Sequence, residues 1–136
     1  MLLFDGHLDI SMNAVEFNRD VTKSLQEIRD REAEMLDYKD RGKGILTLDE
    51  MRKGQIGVCI ATQIGRYVAP ETNMPGWNSP DIAWAITQAQ LAWYRVMEDH
   101  GQMTQITNRV ELNAHVDLWK TAEDTSELPI GYILSL

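Results

Sequence analysis

Residues 56–62, IGVCIAT, and residues 130–136, IGYILSL, are nearly unbroken apolar runs. Rich in Ile, Val and Tyr and lacking polar alternation, they read as strands covered on both faces, the pattern of a parallel sheet. LLFDG at residues 2–6 supplies a third strand. Parallel neighbours require crossover connections, and helical patterns lie between the runs. SPDIAWAITQAQLAWYRVMEDHG, residues 79–101, has Ser79 as N-cap, Pro80 at the first helical position, and His100 and Gly101 at its far end. Ile82, Ile86, Ala89, Trp93 and Val96 recur at helical spacing and predict its buried stripe. TLDEMRKG, residues 47–54, pairs Thr47 with Glu50 as a capping box and stops at Gly54. NRVELNAHVDLW, residues 108–119, repeats the device with Asn108 and Glu111, and puts Leu112, Val116 and Trp119 on one side.

The expected order is strand, helices, strand, helix, helix, strand, an α/β arrangement in a single domain over residues 1–136. Val21 to Arg41 mixes both signs of charge and reads as a largely solvated helix. Residues 66–80, RYVAPETNMPGWNSP, form a proline-bearing loop after the second strand, at the end where α/β folds keep their sites. The last strand asks for a further covering helix, so the chain reads as truncated.

The net charge of −8, with no Lys/Arg cluster, argues against a surface that tracks phosphates, so no nucleic acid is expected as a partner. No apolar run approaches the roughly 20 residues of a membrane span, and the N-terminus lacks the basic region of a secretory leader. No membrane partner is expected. The single cysteine, Cys59, fits a reducing compartment, and the expected location is cytoplasmic.

The first strand ends in a polar cluster, MLLFDGHLDIS at residues 1–11. Residues two apart on a strand face the same way, which projects His7 and Asp9 together. An imidazole and a carboxylate are both zinc ligands, and Gly6 permits close approach of the backbone. The alternative is a hydrogen-bonded His7 beside an Asp9 that caps the next helix.

FDGHLDIS, residues 4–11, resembles the start of the membrane (renal) dipeptidase family of amidohydrolase-like metal-dependent hydrolases, whose first strand ends in an Asp-Gly-His-x-Asp signature. LTLDEMRKGQIGVCIATQIGRYV, residues 46–68, resembles that family's next helix and second strand, and GYILSL, residues 131–136, its third strand. The resemblance implies the N-terminal part, about three β/α units, of a (β/α)8 TIM barrel with two zinc ions at the C-terminal ends of its strands. It gives His7 and Asp9 the role of ligands to the first metal. A glutamate after the third strand and later histidines complete the family's site. The implied activity is hydrolysis of dipeptides by a metal-bound hydroxide. With so few of the ligands, the 136-residue chain alone is expected to be inactive. Two other readings stand beside this one: a truncated remnant that associates into a homo-oligomer through its open sheet edge, and a small α/β binding module.

Trp77 sits in the proline-bearing loop as a substrate-facing wall or a loop anchor. His100 is expected to cap its helix, and His115 to be partly exposed. Cys59 reads as a small core residue, and Trp84, Trp93 and Trp119 as helix-to-sheet packing. The pairs Glu32/Glu34 and Asp37/Asp40 read as surface charge, with no paired-carboxylate acid/base site and no glycine-rich phosphate loop.

Overall fold

The computed structural model describes residues 1–135; Leu136, the last residue of the expected third strand, lies outside them. The elements are β1 (Leu3–Leu8), α1 (Ile10–Val15), α2 (Leu25–Glu32), α3 (Leu48–Lys53), β2 (Ile56–Thr62), α4 (Pro80–Asp99), β3 (Met103–Gln105), α5 (Arg109–Thr121) and β4 (Ile130–Ser135). The four strands form one parallel sheet in the order β1-β2-β4-β3. This is an α/β fold. The three expected strands are β1, β2 and β4; β3 is an additional one. Its three residues pair with the first three of β4, too short a stretch for any periodicity to reveal.

The helix boundaries follow local chemistry. The Thr47 hydroxyl accepts from the Glu50 amide at the head of α3, but Glu50 turns to Lys53 instead of closing the capping box. Asn108 accepts from the amides of Val110 and Glu111 at the head of α5. A complete box caps α2, where Ser24 and Glu27 satisfy each other's backbone amides. His100 occupies the C-cap of α4, as expected.

The core lies where α1, α3, α4 and α5 meet β2 and β4, with Ile10, Leu48, Cys59, Tyr94, Ile130 and Tyr132 at its centre. The Tyr94 ring stacks on Tyr132 at 4.9 Å and 18°. Cys59 is fully buried, which pushes its thiol up to about 12. Two strand glycines admit α5: a Cβ on Gly57 would come within 2.6 Å of the Trp119 ring, and one on Gly131 within 2.7 Å of His115 Nε2.

Three expectations are corrected. The buried face of α4 is Ala83, Gln90, Tyr94 and Met97, one step round from the predicted stripe, and Ile82, Trp84 and Val96 are exposed. The stripe is displaced because Gln90 is wholly buried, its amide fully engaged in hydrogen bonds, and hydrophobic periodicity does not register such a residue. His115 is buried, donating from Nε2 to the Gly57 carbonyl at 2.9 Å.

The third correction concerns residues 21–41, where helix is confined to Leu25–Glu32 and the charges are not all solvated. The Glu32 side chain is 2% exposed and accepts from Arg19 at 2.7 and 3.1 Å, from Arg41 at 2.7 Å and from the Gly42 amide at 2.9 Å. Arg41 also grips Asp37 through two bonds of 2.8 and 2.7 Å. The Phe17 ring lies beneath both guanidiniums, 4.9 Å from Arg19 and 5.9 Å from Arg41. These bonds fold the chain between α1 and α3 without further regular structure.

Candidate metal centre

All four strands run the same way, so the C-terminal ends of β1, β2 and β4 share one rim of the sheet. Along β1 the register slips: Asp5 is opposite Cys59 but Leu8 is opposite Ala61, so three steps of β1 match two of β2. The extra residue falls at Gly6–His7, and such a bulge re-aims the side chains that follow. His7 is held through its backbone amide, which donates to Asp5 Oδ1 at 3.0 Å, and its ring is 70% exposed.

Asp9 follows the strand directly and occupies the N-cap of α1 without making the side-chain cap. Its backbone carbonyl accepts from the amide of Asn13 at 3.1 Å and from that residue's side chain at 3.0 Å, leaving the carboxylate directed elsewhere. His7 Nε2 and Asp9 Oδ1 are 3.5 Å apart. Two ligands on a tetrahedral zinc, each about 2.0–2.2 Å from the ion, are separated by about 3.4 Å. The donor spacing fits. The cap alternative does not describe Asp9, since its carboxylate receives the Thr62 hydroxyl and no helix amide.

Thr62, the last residue of β2, orients that carboxylate. Behind it, the Thr62 carbonyl accepts from the Tyr94 hydroxyl at 3.2 Å and from Ser11 Oγ at 3.0 Å. Ser11 Oγ also lies 3.2 Å from Gln90 Oε1, which accepts from the Ile64 amide at 2.8 Å. Gln90 Nε2 donates to the Ile64 carbonyl and to Glu16. A buried polar chain thus runs from α4 through Ser11 and Thr62 to Asp9, of the kind that fixes a ligand's orientation. The sequence reading did not identify these residues. The available signal was Gln90 as the one polar residue in the stretch 89–93, AQLAW, of α4.

Trp77 is placed apart from the pair. The Trp77 amide donates to the Arg66 carbonyl at 2.8 Å and the Val68 amide to the Trp77 carbonyl at 2.9 Å, closing the proline-bearing loop on itself. Its ring is half-buried in the wall of a groove of about 740 Å³, which also takes Met12, Glu16, Phe17, Ile64 and Arg66. Among the described residues, His7 and Asp9 do not line this groove, and no group of three or more His, Cys, Asp or Glu side chains is gathered as a metal shell. No helix among them is long and apolar enough to cross a membrane. Compared with family models, curated proteins and solved structures, the chain matches none.

Proposed function

We propose that this chain supplies the first-strand metal ligands of a zinc-dependent dipeptidase of the membrane dipeptidase type, with β1, β2 and β4 as adjacent strands of a (β/α)8 barrel. The observation that carries the reading is the 3.5 Å approach of His7 Nε2 and Asp9 Oδ1 at the rim of the sheet. It gives the Asp-Gly-His-x-Asp signature the geometry of a chelating pair. The parallel order β1-β2-β4 supports the barrel part, and β3 lies outside that series on the far edge of β4.

When bound, zinc supplies a Lewis acid that polarises a carbonyl and activates water. His7 offers a neutral imidazole nitrogen and Asp9 a carboxylate oxygen to the ion, while Thr62 holds Asp9 through its hydroxyl. Since an ordinary zinc site takes three or four protein donors, the reading assigns the remaining ligands to further strands of the barrel. The substrate is a dipeptide, and the acidic chain has neither nucleic acid nor membrane as a partner. The proposed location is the cytoplasm.

One observation favours a second reading, self-association of the chain through β1. Among the described residues that strand has a neighbour on one side only, and it exposes Leu3 and Phe4, the latter 55% accessible.

Zinc titration of the purified protein tests the main reading. Binding is expected to weaken at least tenfold in His7→Ala and in Asp9→Ala, with both variants still melting cooperatively. Equal zinc affinity in the parent and both variants overturns the assignment of these ligands.

A further inference from the structure

Asp9 makes no side-chain cap on α1, so other contacts hold its backbone while the carboxylate turns to Thr62. Asn13 grips it twice: the Asn13 amide and Nδ2 both donate to the Asp9 carbonyl, at 3.1 and 3.0 Å. The other end of the Asn13 side chain is also taken, with Arg19 Nη1 donating to Oδ1 at 2.7 Å. Arg19 reaches back because the chain reverses after α1. Asn18 takes a positive φ of 52°, a region that asparagine enters more readily than most residues, and the Arg19 amide then donates to the Asn13 carbonyl at 3.2 Å. The Arg19 side chain is 8% exposed; its Nε and Nη2 donate to Glu32 at 2.7 and 3.1 Å, and Nη2 also to the Asp40 carbonyl at 3.1 Å.

We propose that Asn13 and Arg19 are positioning residues for Asp9, so that the buried cluster of Arg19, Glu32 and Arg41 sets the direction of a carboxylate at the rim of the sheet. A guanidinium is planar and its donors leave in fixed directions, so anchoring Nε and Nη2 on Glu32 fixes where Nη1 points. A donor at Oδ1 then selects one of the two orientations of the Asn13 amide. Turned over, the amide would set its oxygen against the Asp9 carbonyl and its NH2 against Nη1, two contacts between like groups. Asp9 is thereby held from two sides: its carboxylate by Thr62 at the end of β2, and its carbonyl by the segment that follows α1. Arg41 and Asp37 lie on the far side of Glu32 and do not touch Asn13. The consequence for zinc rests on the metal reading; the orientation of Asp9 does not.

The test reads the Asp9 carboxyl carbon of the metal-free full chain by NMR, assigned from Asp9→Asn, and the zinc affinity of the same samples by competition with a chromophoric chelator. Asn13→Ala and Arg19→Lys, the latter keeping the charge beside Glu32 but not the fork, are each expected to displace the Asp9 signal and to weaken zinc at least tenfold. The double variant should bind zinc within about twofold of the weaker single one, since both changes cut the same path. Asp37→Asn, which loosens Arg41, is expected to lower Tm by a few degrees and to leave both readouts unchanged. If Arg19→Lys does not melt cooperatively, Asn13→Ala decides, because it leaves the Arg19–Glu32 pair in place. An Asp9 signal unmoved in Asn13→Ala, additive losses in the double variant, or an equal displacement by Asp37→Asn overturns the proposal. His7→Ala separates the two readings. Unchanged zinc affinity in His7→Ala with a displaced Asp9 signal in Asn13→Ala rejects the metal reading and supports the positioning; weakened zinc in His7→Ala with neither readout moved by Asn13→Ala does the reverse.

Discussion

Replacing Glu32 by Gln removes the one anion between two buried guanidiniums. The carboxylate accepts four hydrogen bonds, two from Arg19, one from Arg41 and one from the Gly42 amide. An amide in its place presents an N–H to donors that need an acceptor, and the Arg19 and Arg41 side chains are only 8% and 7% exposed. Breaking a buried ion pair by removing one partner costs about 3–5 kcal/mol. The lower end applies, because Arg41 keeps Asp37, and Arg19 keeps Asn13 Oδ1 and the Asp40 carbonyl. With an unfolding entropy of roughly 0.29 kcal/mol/K for a domain of this length, about 3 kcal/mol lowers Tm by about 10 °C. The sign of the pH dependence is fixed by the same contacts. Hydrogen bonds from Arg19 hold the Glu32 carboxyl down to about 2 from its ordinary 4.5, so its contribution is complete above pH 4.5 and is lost as pH falls through that interval toward 2. Circular dichroism melts of the parent and Glu32→Gln should differ by about 10 °C at pH 7, and the gap should narrow below pH 4.5. A variant that melts within about 2 °C of the parent at pH 7, or a gap unchanged at pH 2.5, refutes the reasoning.

Thr62→Val keeps the shape of the residue but removes the hydroxyl that holds Asp9; zinc affinity should fall about tenfold, as measured by competition with a chromophoric chelator, with Tm reduced by only a few degrees. Burial lowers the His115 imidazole below its ordinary 6.5, so the folded state favours the neutral ring. Stability should therefore drop as pH falls below 6.5, and urea midpoints at pH 7.5 and 5.5 should show a smaller difference in His115→Gln than in the parent. Trp119→Ala opens a cavity against Gly57 and removes the bond from Nε1 to the Pro129 carbonyl, and should cost about 3–5 kcal/mol in chemical denaturation. Cys59, buried and pushed up to about 12, should react with a thiol reagent only at the rate of unfolding, becoming fully reactive in 6 M guanidinium.

What the sequence made legible was what apolar pattern and capping chemistry encode. IGVCIAT and IGYILSL became β2 and β4 because continuous apolar runs suit strands packed on both faces, and Asn108 with Glu111 started α5 where the spacing placed it. The pairing of His7 with Asp9 was also legible, though the two-residue alternation that predicted it is only part of the geometry. The bulge at Gly6–His7 and the hydroxyl of Thr62 complete it, and both depend on where β2 lies beside β1. Trp77 was correctly placed in the loop after β2, but its company was not, because the groove draws walls from α1 and the 37–40 turn, which no local pattern connects to residue 77.

The misread residues share a physical cause. Gln90, His115 and Glu32 are polar or charged side chains that are buried because a partner distant in sequence satisfies them: Ser11 and Ile64 for Gln90, Gly57 for His115, and Arg19 for Glu32. A pattern of hydrophobicity assigns such residues to the surface, since an isolated polar group pays a desolvation cost on burial. That cost is also what makes them informative about the site. An apolar residue at position 90 would fill the same volume, leave the Ile64 amide without its acceptor and the Ile64 carbonyl without its donor, and take away the amide oxygen beside Ser11 Oγ, which keeps the Thr62 carbonyl. The chain from Gln90 to Asp9 is therefore expected to act as a unit: Gln90→Leu should weaken zinc binding at Asp9 although residue 90 lies on a different element, whereas Gln88→Leu on the exposed face of the same helix should leave it unchanged. Equal effects of the two substitutions on zinc affinity would mean that α4 braces the rim through packing alone.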